Sequence, residues 1–174
     1  WQHASKAALK GGVTTVFFFF YTKPATTTQE RLHNKFAIIN AQLAEVNLPL
    51  RYKLFFGADK NQFHEIVKVK DEIVGLKVFM GASTGDLLMD DEASLHAIYA
   101  LAKAHGLLIA LHAEDELIIR ENAAKYSSET DFKYHSIIRA PEAAVKAVDL
   151  VIKLTEIYGV PSYILHVSTA GELE

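Results

Sequence analysis

Apolar and polar residues alternate along the chain in blocks that predict strands and helices in turn. Between the predicted strands, apolar residues at spacings of three and four predict helices. Several of the strands are continuously apolar, as in a parallel sheet that is covered on both faces. The pattern therefore predicts an α/β fold of five βα units in a single domain over residues 1–174. Runs of apolar, β-branched or aromatic residues predict the strands at 13–20, 51–56, 75–80, 107–112 and 162–167.

Several helix ends and helix faces can be predicted from local sequence. Thr27-x-x-Glu30 has the form of a capping box at the start of the second helix. Pro141 suits the first turn of the last helix. Residues 114–139 are polar and mixed, and we predict a loop with one short helix there. The inward-facing residues of the last helix are predicted to be Val145, Val148, Ile152 and Leu154 or Ile157.

Two architectures accommodate five consecutive βα units, namely a doubly wound sheet and part of a (β/α)8 barrel. In both of them, functional residues lie at the C-terminal ends of the strands. No Gly-x-Gly-x-x-Gly motif follows a strand, which disfavours a dinucleotide-binding sheet.

Three polar residues stand at the ends of apolar runs, which makes them candidates for one shared site. They are Lys77, His112 and His166. Burying a lysine or histidine is costly unless the group has a partner or a function. Neutral imidazole is the commonest protein ligand for metals. The alternative for each histidine is a hydrogen-bonded core residue. Because two histidines stand at equivalent strand ends, the metal-ligand and core alternatives have about equal weight.

Lys77 extends the possibilities because a desolvated lysine has a lowered pKa and a partly neutral, nucleophilic amine. Such an amine can add CO2 to give a carbamate whose oxygens bridge two metals. It can also form a Schiff base with a carbonyl substrate, as in a lyase. The spacing alone leaves both alternatives open.

Composition limits the class of protein further. The formal net charge of −3 argues against a general binder of nucleic acids or anionic membranes. No apolar run approaches the ~20 residues that span a bilayer. The chain contains no cysteine, so any metal must be bound by histidine, carboxylate or a modified side chain. We expect a cytoplasmic protein with no membrane contact.

Four segments in order resemble the dihydroorotase branch of the amidohydrolase superfamily. The resemblance implies a (β/α)8 TIM-type barrel, of which this chain covers about strands 2–6, with one or two divalent ions, usually zinc. Lys77 would be the carboxylated bridging lysine, and His112 and His166 would be metal ligands. The segments are KGGVTT at 10–15, GLKVFMGASTG at 75–85, LHAED at 111–115 and LHVSTA at 165–170.

The resemblance also implies an activity and substrate contacts. The expected reaction is reversible hydrolysis of a cyclic amide, with dihydroorotate as the first candidate substrate and dihydropyrimidinase or allantoinase chemistry as the alternative. Thr84 falls where related enzymes have a substrate-contacting threonine, and Arg139 matches an arginine common in the family. Tyr21 stands where the family usually has a substrate-binding asparagine. This departure makes a catalytically inactive structural homologue a further alternative.

Other functional residues of the family are expected outside residues 1–174. The family's His-x-His metal pair belongs to strand one, and its proton-transferring aspartate ends strand eight. No catalytic residue is therefore assigned within the chain, and these residues by themselves are expected to lack hydrolase activity. The expected partners are a small cyclic amide and a second copy of the protein in a homodimer.

Overall fold

A computed structural model describes residues 1–19, 21–81 and 87–174 of the chain. These residues form two compact units, Trp1–Leu76 and Lys77–Glu174, which are described separately below. The prediction of a single domain over residues 1–174 stays a prediction. Across the described residues, no helix combines the length and apolar character needed to cross a membrane.

Strands and helices follow one another in the predicted order. The boundary between the units falls inside β3 (Gly75–Phe79). The elements of the first unit are α1 (Gln2–Lys10), β1 (Thr15–Phe18), α2 (Gln29–Val46), β2 (Arg51–Gly57) and α3 (Phe63–Val69). Those of the second are α4 (Glu92–His105), β4 (Ile109–His112), α5 (Glu116–Lys125), α6 (Lys133–Ile138), α7 (Pro141–Tyr158) and β5 (Ser162–Ile164), followed by a 3-10 turn (Ala170–Glu172).

The strand pairs within each unit are parallel, as the continuous apolar runs predict. In the first unit, Thr15 of β1 pairs with Arg51 of β2. In the second, Ile109 of β4 pairs with Ser162 of β5. Antiparallel strands can be joined by a short hairpin, but parallel strands need a crossover, which α2 and α7 provide here. The predicted α/β class is therefore confirmed.

The start of α2 differs from the prediction by one residue. Its N-cap is Thr28, whose hydroxyl accepts a hydrogen bond from the Arg31 backbone N–H at 3.3 Å. The predicted cap, Thr27, instead accepts a hydrogen bond from the Arg31 guanidinium at 3.2 Å. Two adjacent threonines offer two registers, and the backbone N–H three residues after Thr28 selects the second.

A buried carboxylate joins α3 to the start of α2. Glu65 is 8% exposed, accepts a hydrogen bond from the Gln29 N–H at 2.8 Å and pairs with Lys68. The Lys68 ammonium and the Gln29 N–H lower the pKa of Glu65 below its ordinary value of 4.5. A negatively charged acceptor at a helix N-terminus satisfies a backbone N–H that has no partner within the helix, and it interacts favourably with the helix dipole.

Glu65→Gln is expected to lower the free energy of unfolding by about 1–2 kcal/mol. Because the pKa of Glu65 is lowered on folding, its contribution is complete above pH 4.5 and is lost as the pH falls through the folded value. Urea unfolding at several pH values checks this. The control is Glu72→Gln, which removes a half-exposed pair with His33 and should cost under about 0.5 kcal/mol. Equal effects of the two changes would contradict the account.

Two predictions for the second unit differ from its structure. Residues 114–139 form two helices, α5 and α6, where we predicted a loop with one short helix. Asp115 caps α5 by accepting a hydrogen bond from the Ile118 N–H at 3.0 Å, a local signal strong enough to begin a helix in a polar segment. On α7, Ile152 was predicted to face inward but is 49% exposed; of the two alternatives for the last inward position, Leu154 is buried and Ile157 is exposed. The buried face of α7 consists of Ala143, Ala147, Val148, Val151 and Leu154.

Candidate metal site

Lys77 lies in β3 and is fully buried, with no exposed surface. Its ammonium nitrogen Nζ donates a hydrogen bond to the Val78 carbonyl at 2.8 Å and lies 3.8 Å from the centre of the Phe79 ring. Burial lowers the pKa of Lys77 from 10.5 to about 7. A large fraction of the amine is therefore neutral near physiological pH, which is the form that can act as a nucleophile.

His112 ends β4 and is 9% exposed. Its backbone carbonyl accepts a hydrogen bond from the Met80 N–H at 3.0 Å, which fixes the strand end beside the segment that follows Lys77. The Phe79 ring, which also contacts Lys77, lies 5.9 Å from the His112 ring. The Phe79 ring is therefore a neighbour of both the lysine and the first histidine.

His166 lies two residues beyond the observed end of β5, which is Ile164. The Leu165 N–H still bonds the Leu111 carbonyl, so the pairing with β4 continues to the histidine. His166 adopts the left-handed conformation, with φ of 44°, and its carbonyl accepts a hydrogen bond from the Ser168 hydroxyl. Partial desolvation, and then the neighbouring His112, lower the pKa of His166 and favour its neutral ring.

The structure brings the two imidazoles into direct contact. Nδ1 of His112 and Nε2 of His166 are 2.9 Å apart, and the ring centres are 4.7 Å apart. Two nitrogens that share a tetrahedral zinc at bond lengths of about 2.0–2.1 Å lie about 3.3 Å from each other. A small separation of the rings would thus open a place for a metal ion between these nitrogens. The donor set fits zinc.

A carboxylate and a guanidinium lie on the other side of His112. Glu114 contacts Nε2 of His112 and pairs with Arg139, whose Nε donates to Oε1 of Glu114 at 3.0 Å. Burial raises the pKa of Glu114, but hydrogen bonds from His112 and Arg139 outweigh this and bring the pKa to about 2. Glu114 is therefore a carboxylate throughout the physiological range.

A cavity of about 280 Å³ opens beside these residues. His112, Arg139 and His166 line it, together with His135 of α6. His135 is exposed and stacks on Phe132 with a ring-centre distance of 5.8 Å. Within the described ranges, no cluster of three or more His, Cys, Asp or Glu side chains has metal-binding geometry. Lys77 is not one of these residue types, so the predicted ligand set stays a prediction.

The remaining residues predicted from the sequence are placed differently. Thr84 falls within 82–86 and lies outside the described residues. Tyr21 belongs to the first unit, where it is 56% exposed and lies 5.6 Å from the Phe19 ring. Arg139 lines the cavity, but its guanidinium is bonded to Glu114. A substrate-binding role for these three residues stays a prediction.

Gly81 is a residue that sequence reasoning missed. A Cβ atom at Gly81 would overlap the backbone oxygen of Glu114 and would lie 3.2 Å from the backbone nitrogen of Glu116. Both contacts are with backbone, so the neighbouring segment would have to move. The glycine allows the segment after β3 to approach the segment after His112.

Gly81→Ala is expected to displace Glu114 and thereby weaken zinc binding at His112 by about tenfold or more. Competition with a chromogenic chelator measures the affinity. Gly11→Ala is the control, because its Cβ would meet only ordinary contacts at 3.5 Å and its φ is −82°. An unchanged zinc affinity in Gly81→Ala would contradict the importance of this close approach.

A buried lysine and two imidazoles at the ends of neighbouring parallel strands define a candidate metal site of the α/β-barrel type. Comparisons with known proteins agree with this class. The chain is 34% identical over 114 residues to a D-hydantoinase from Geobacillus stearothermophilus, a match that covers 63% of the chain and 24% of the relative. It is 28% identical over 171 residues to a dihydroorotase from Methanosarcina acetivorans, covering 97% of the chain and 35% of the relative. No family model matches the chain.

Solved structures also show similarity to hydantoinases. An L-hydantoinase (dihydropyrimidinase) from Arthrobacter aurescens matches with a TM-score of 0.85 and 26% identity, over 97% of this chain and 37% of that one. The chain thus spans about a third of the length of the relatives it matches. The chain is thus similar in sequence to dihydroorotases and hydantoinases, and its fold matches part of the TIM-type barrel of the hydantoinase structures.

Proposed function

We propose that the intact protein is a metal-dependent hydrolase of cyclic amides, in which Lys77, His112 and His166 bind zinc. The observation that supports this most strongly is the 2.9 Å contact between Nδ1 of His112 and Nε2 of His166 in the same unit as a fully buried lysine. A separation of these two nitrogens from 2.9 Å to about 3.3 Å would let both of them bind one zinc ion.

Each residue contributes a different property. The neutral amine of Lys77 can add CO2 with loss of one proton, which gives a carbamate whose single negative charge is shared by two oxygens. His112 and His166 supply neutral nitrogen lone pairs, and the lowered pKa of His166 favours this form. When bound, a divalent ion lowers the pKa of water and polarises a carbonyl group.

Dihydroorotate is the first candidate substrate, because the strand-end segments match the dihydroorotase pattern over most of the chain. Its reaction would interconvert dihydroorotate and N-carbamoyl-aspartate in pyrimidine biosynthesis. A hydantoin or dihydropyrimidine is the second candidate, supported by the hydantoinase relatives and by Tyr21 in place of the usual asparagine. We propose that Thr84 and Tyr21 contact the substrate.

A substrate screen tests the proposal on the intact gene product. Zinc-loaded protein is incubated separately with dihydroorotate, hydantoin, 5-substituted hydantoins, dihydrouracil and allantoin. Ring opening is monitored as a loss of ultraviolet absorbance. Turnover of at least one cyclic amide supports the proposal. Zinc-loaded protein that opens none of these rings would favour the inactive structural homologue. Borohydride trapping of a carbonyl substrate on Lys77 would favour the Schiff-base lyase.

Two further expectations belong to the same proposal. We expect the protein to be cytoplasmic, which cell fractionation would test. We also expect a homodimer, which light scattering on the purified protein would test; a monomeric mass would contradict that expectation.

A further inference from the structure

We propose that Glu114, held by Arg139, fixes the tautomer of His112 so that the lone pair of Nδ1 faces the metal position. The inference rests on the proposed metal site and gives Arg139 a positioning role, rather than the substrate contact expected from the sequence. It concerns which ring nitrogen carries the proton, which decides whether a histidine can bind a metal through a given atom.

Two groups compete at Nε2 of His112. A Glu114 oxygen can only accept a hydrogen bond, and Nη2 of Arg139, 3.1 Å away, can only donate one. A carboxylate oxygen facing a nitrogen lone pair would be repelled, so its close contact requires a proton on Nε2. Arg139 directs its own N–H groups at both oxygens of Glu114. The arrangement therefore favours the Nε2–H form.

The protonation of Nε2 also decides the state of Nδ1, on the opposite edge of the His112 ring. In a neutral imidazole with the proton on Nε2, Nδ1 carries the lone pair. Nδ1 of His112 faces Nε2 of His166 at 2.9 Å, so His166 donates that hydrogen bond when no metal is bound. For both nitrogens to bind a zinc ion, the proton of His166 would have to move from Nε2 to Nδ1, whereas His112 would need no change of tautomer.

The surrounding structure holds the Glu114–Arg139 pair in place. The Glu114 side chain is 13% exposed and the Arg139 side chain 30% exposed. Arg139 follows α6 directly, and the Asn122 amide of α5 donates to the last carbonyl of that helix, Ile138, at 3.2 Å. Beside Glu114, the Asp115 backbone N–H donates to the Ala143 carbonyl at 2.8 Å. Both members of the pair are thus anchored through their neighbours in the sequence.

The test measures the His112 tautomer and the zinc affinity in the same variants. Nitrogen-15 chemical shifts of selectively labelled histidines report the protonated nitrogen in metal-free protein. Glu114→Ala leaves the Arg139 donor alone at Nε2, so the proton is expected to move to Nδ1. Zinc affinity, measured by chelator competition, should then fall about 10–100-fold. Glu116→Ala is the matched control, because it removes a carboxylate from the Arg120 pair on α5 and should change neither quantity.

A double variant separates positioning from general damage. Glu114→Ala with Arg139→Leu removes both competitors at Nε2, so part of the zinc affinity lost in Glu114→Ala is expected to return. A merely structural role would make the double variant weaker than either single variant. Arg139→Lys, which keeps Glu114 but loses the second hydrogen bond, should retain the Nε2–H signal and lose zinc affinity by about tenfold.

Retention of the Nε2–H signal in Glu114→Ala, or a double variant that binds zinc more weakly than Glu114→Ala, would overturn the inference. If Glu114→Ala does not fold, the same shifts and affinities in Arg139→Lys decide it, and loss of the Nε2–H signal there would overturn it. A wild-type protein that binds no zinc would contradict the proposed function. The tautomer measurement needs no metal and would still decide the role of Glu114.

Discussion

Lys77→Met is expected to abolish hydrolysis and at the same time to raise the free energy of unfolding of the metal-free protein. Methionine has a similar length and volume but no amine. It therefore cannot form a carbamate, and its burial does not carry the desolvation cost of a charged group. Burial moves the pKa of Lys77 from 10.5 to about 7, a shift that costs about 2–4 kcal/mol at neutral pH. Activity assays and urea unfolding check both parts.

The stability difference between the two proteins should depend on pH in a defined direction. Below about pH 7 Lys77 is protonated in both states, and the cost of burial is complete. Between about pH 7 and 10.5 the unfolded chain binds the proton and the folded chain does not, so wild-type stability rises with pH. The advantage of Lys77→Met should therefore shrink over this range.

An exposed lysine provides the control for this prediction. Lys103→Met on α4 should change neither the activity nor the pH dependence. If Lys77→Met kept wild-type turnover, Lys77 would not belong to the catalytic site. If the variant were markedly less stable than the wild type, the burial of Lys77 would not lower the stability of the folded protein, and the account of its functional role would be contradicted.

His166→Asn is expected to remove the stabilisation that zinc gives the protein. A ligand that binds only the folded state adds about 2.7 kcal/mol at a concentration of 100 times its Kd. His166 has φ of 44°, and asparagine tolerates this left-handed conformation better than most residues. The variant should therefore fold as well as the wild type without metal, and only its zinc-dependent shift in Tm should disappear.

Thermal unfolding with zinc and with a chelator measures this shift. His33→Asn is the matched control, because His33 lies on the exposed face of α2 and pairs with Glu72. It should retain the full zinc-dependent shift. A shift of wild-type size in His166→Asn would remove His166 from the metal site. Loss of stability without metal would show instead that the imidazole has a structural role.

The three strand-end residues could be predicted because burying a polar group at the end of an apolar run leaves a clear signal. Lys77 and His112 lie within strands, as the runs predict. His166 lies beyond β5, because the backbone turns into a left-handed conformation after Leu165. Apolar residues continue through that turn, so hydrophobicity alone cannot mark where the strand ends.

Contacts between distant segments were less predictable. Glu114 follows His112 in a polar segment, where the sequence allows either a group that orients a ligand or a surface carboxylate. Its pairing with Arg139 depends on α6, which the polar composition of residues 114–139 concealed. Gly81 shows the same limit, since its close approach to Glu114 joins segments more than 30 residues apart.

Metal content is the most direct test of the central claim that Lys77, His112 and His166 form a metal site. The intact protein is purified in parallel with a variant that carries Lys77→Met, His112→Asn and His166→Asn, and bound zinc is measured by elemental analysis. The account predicts stoichiometric zinc in the wild type and loss of zinc in the folded triple variant. Equal zinc in both proteins, or none in a folded wild type supplied with zinc, would contradict it.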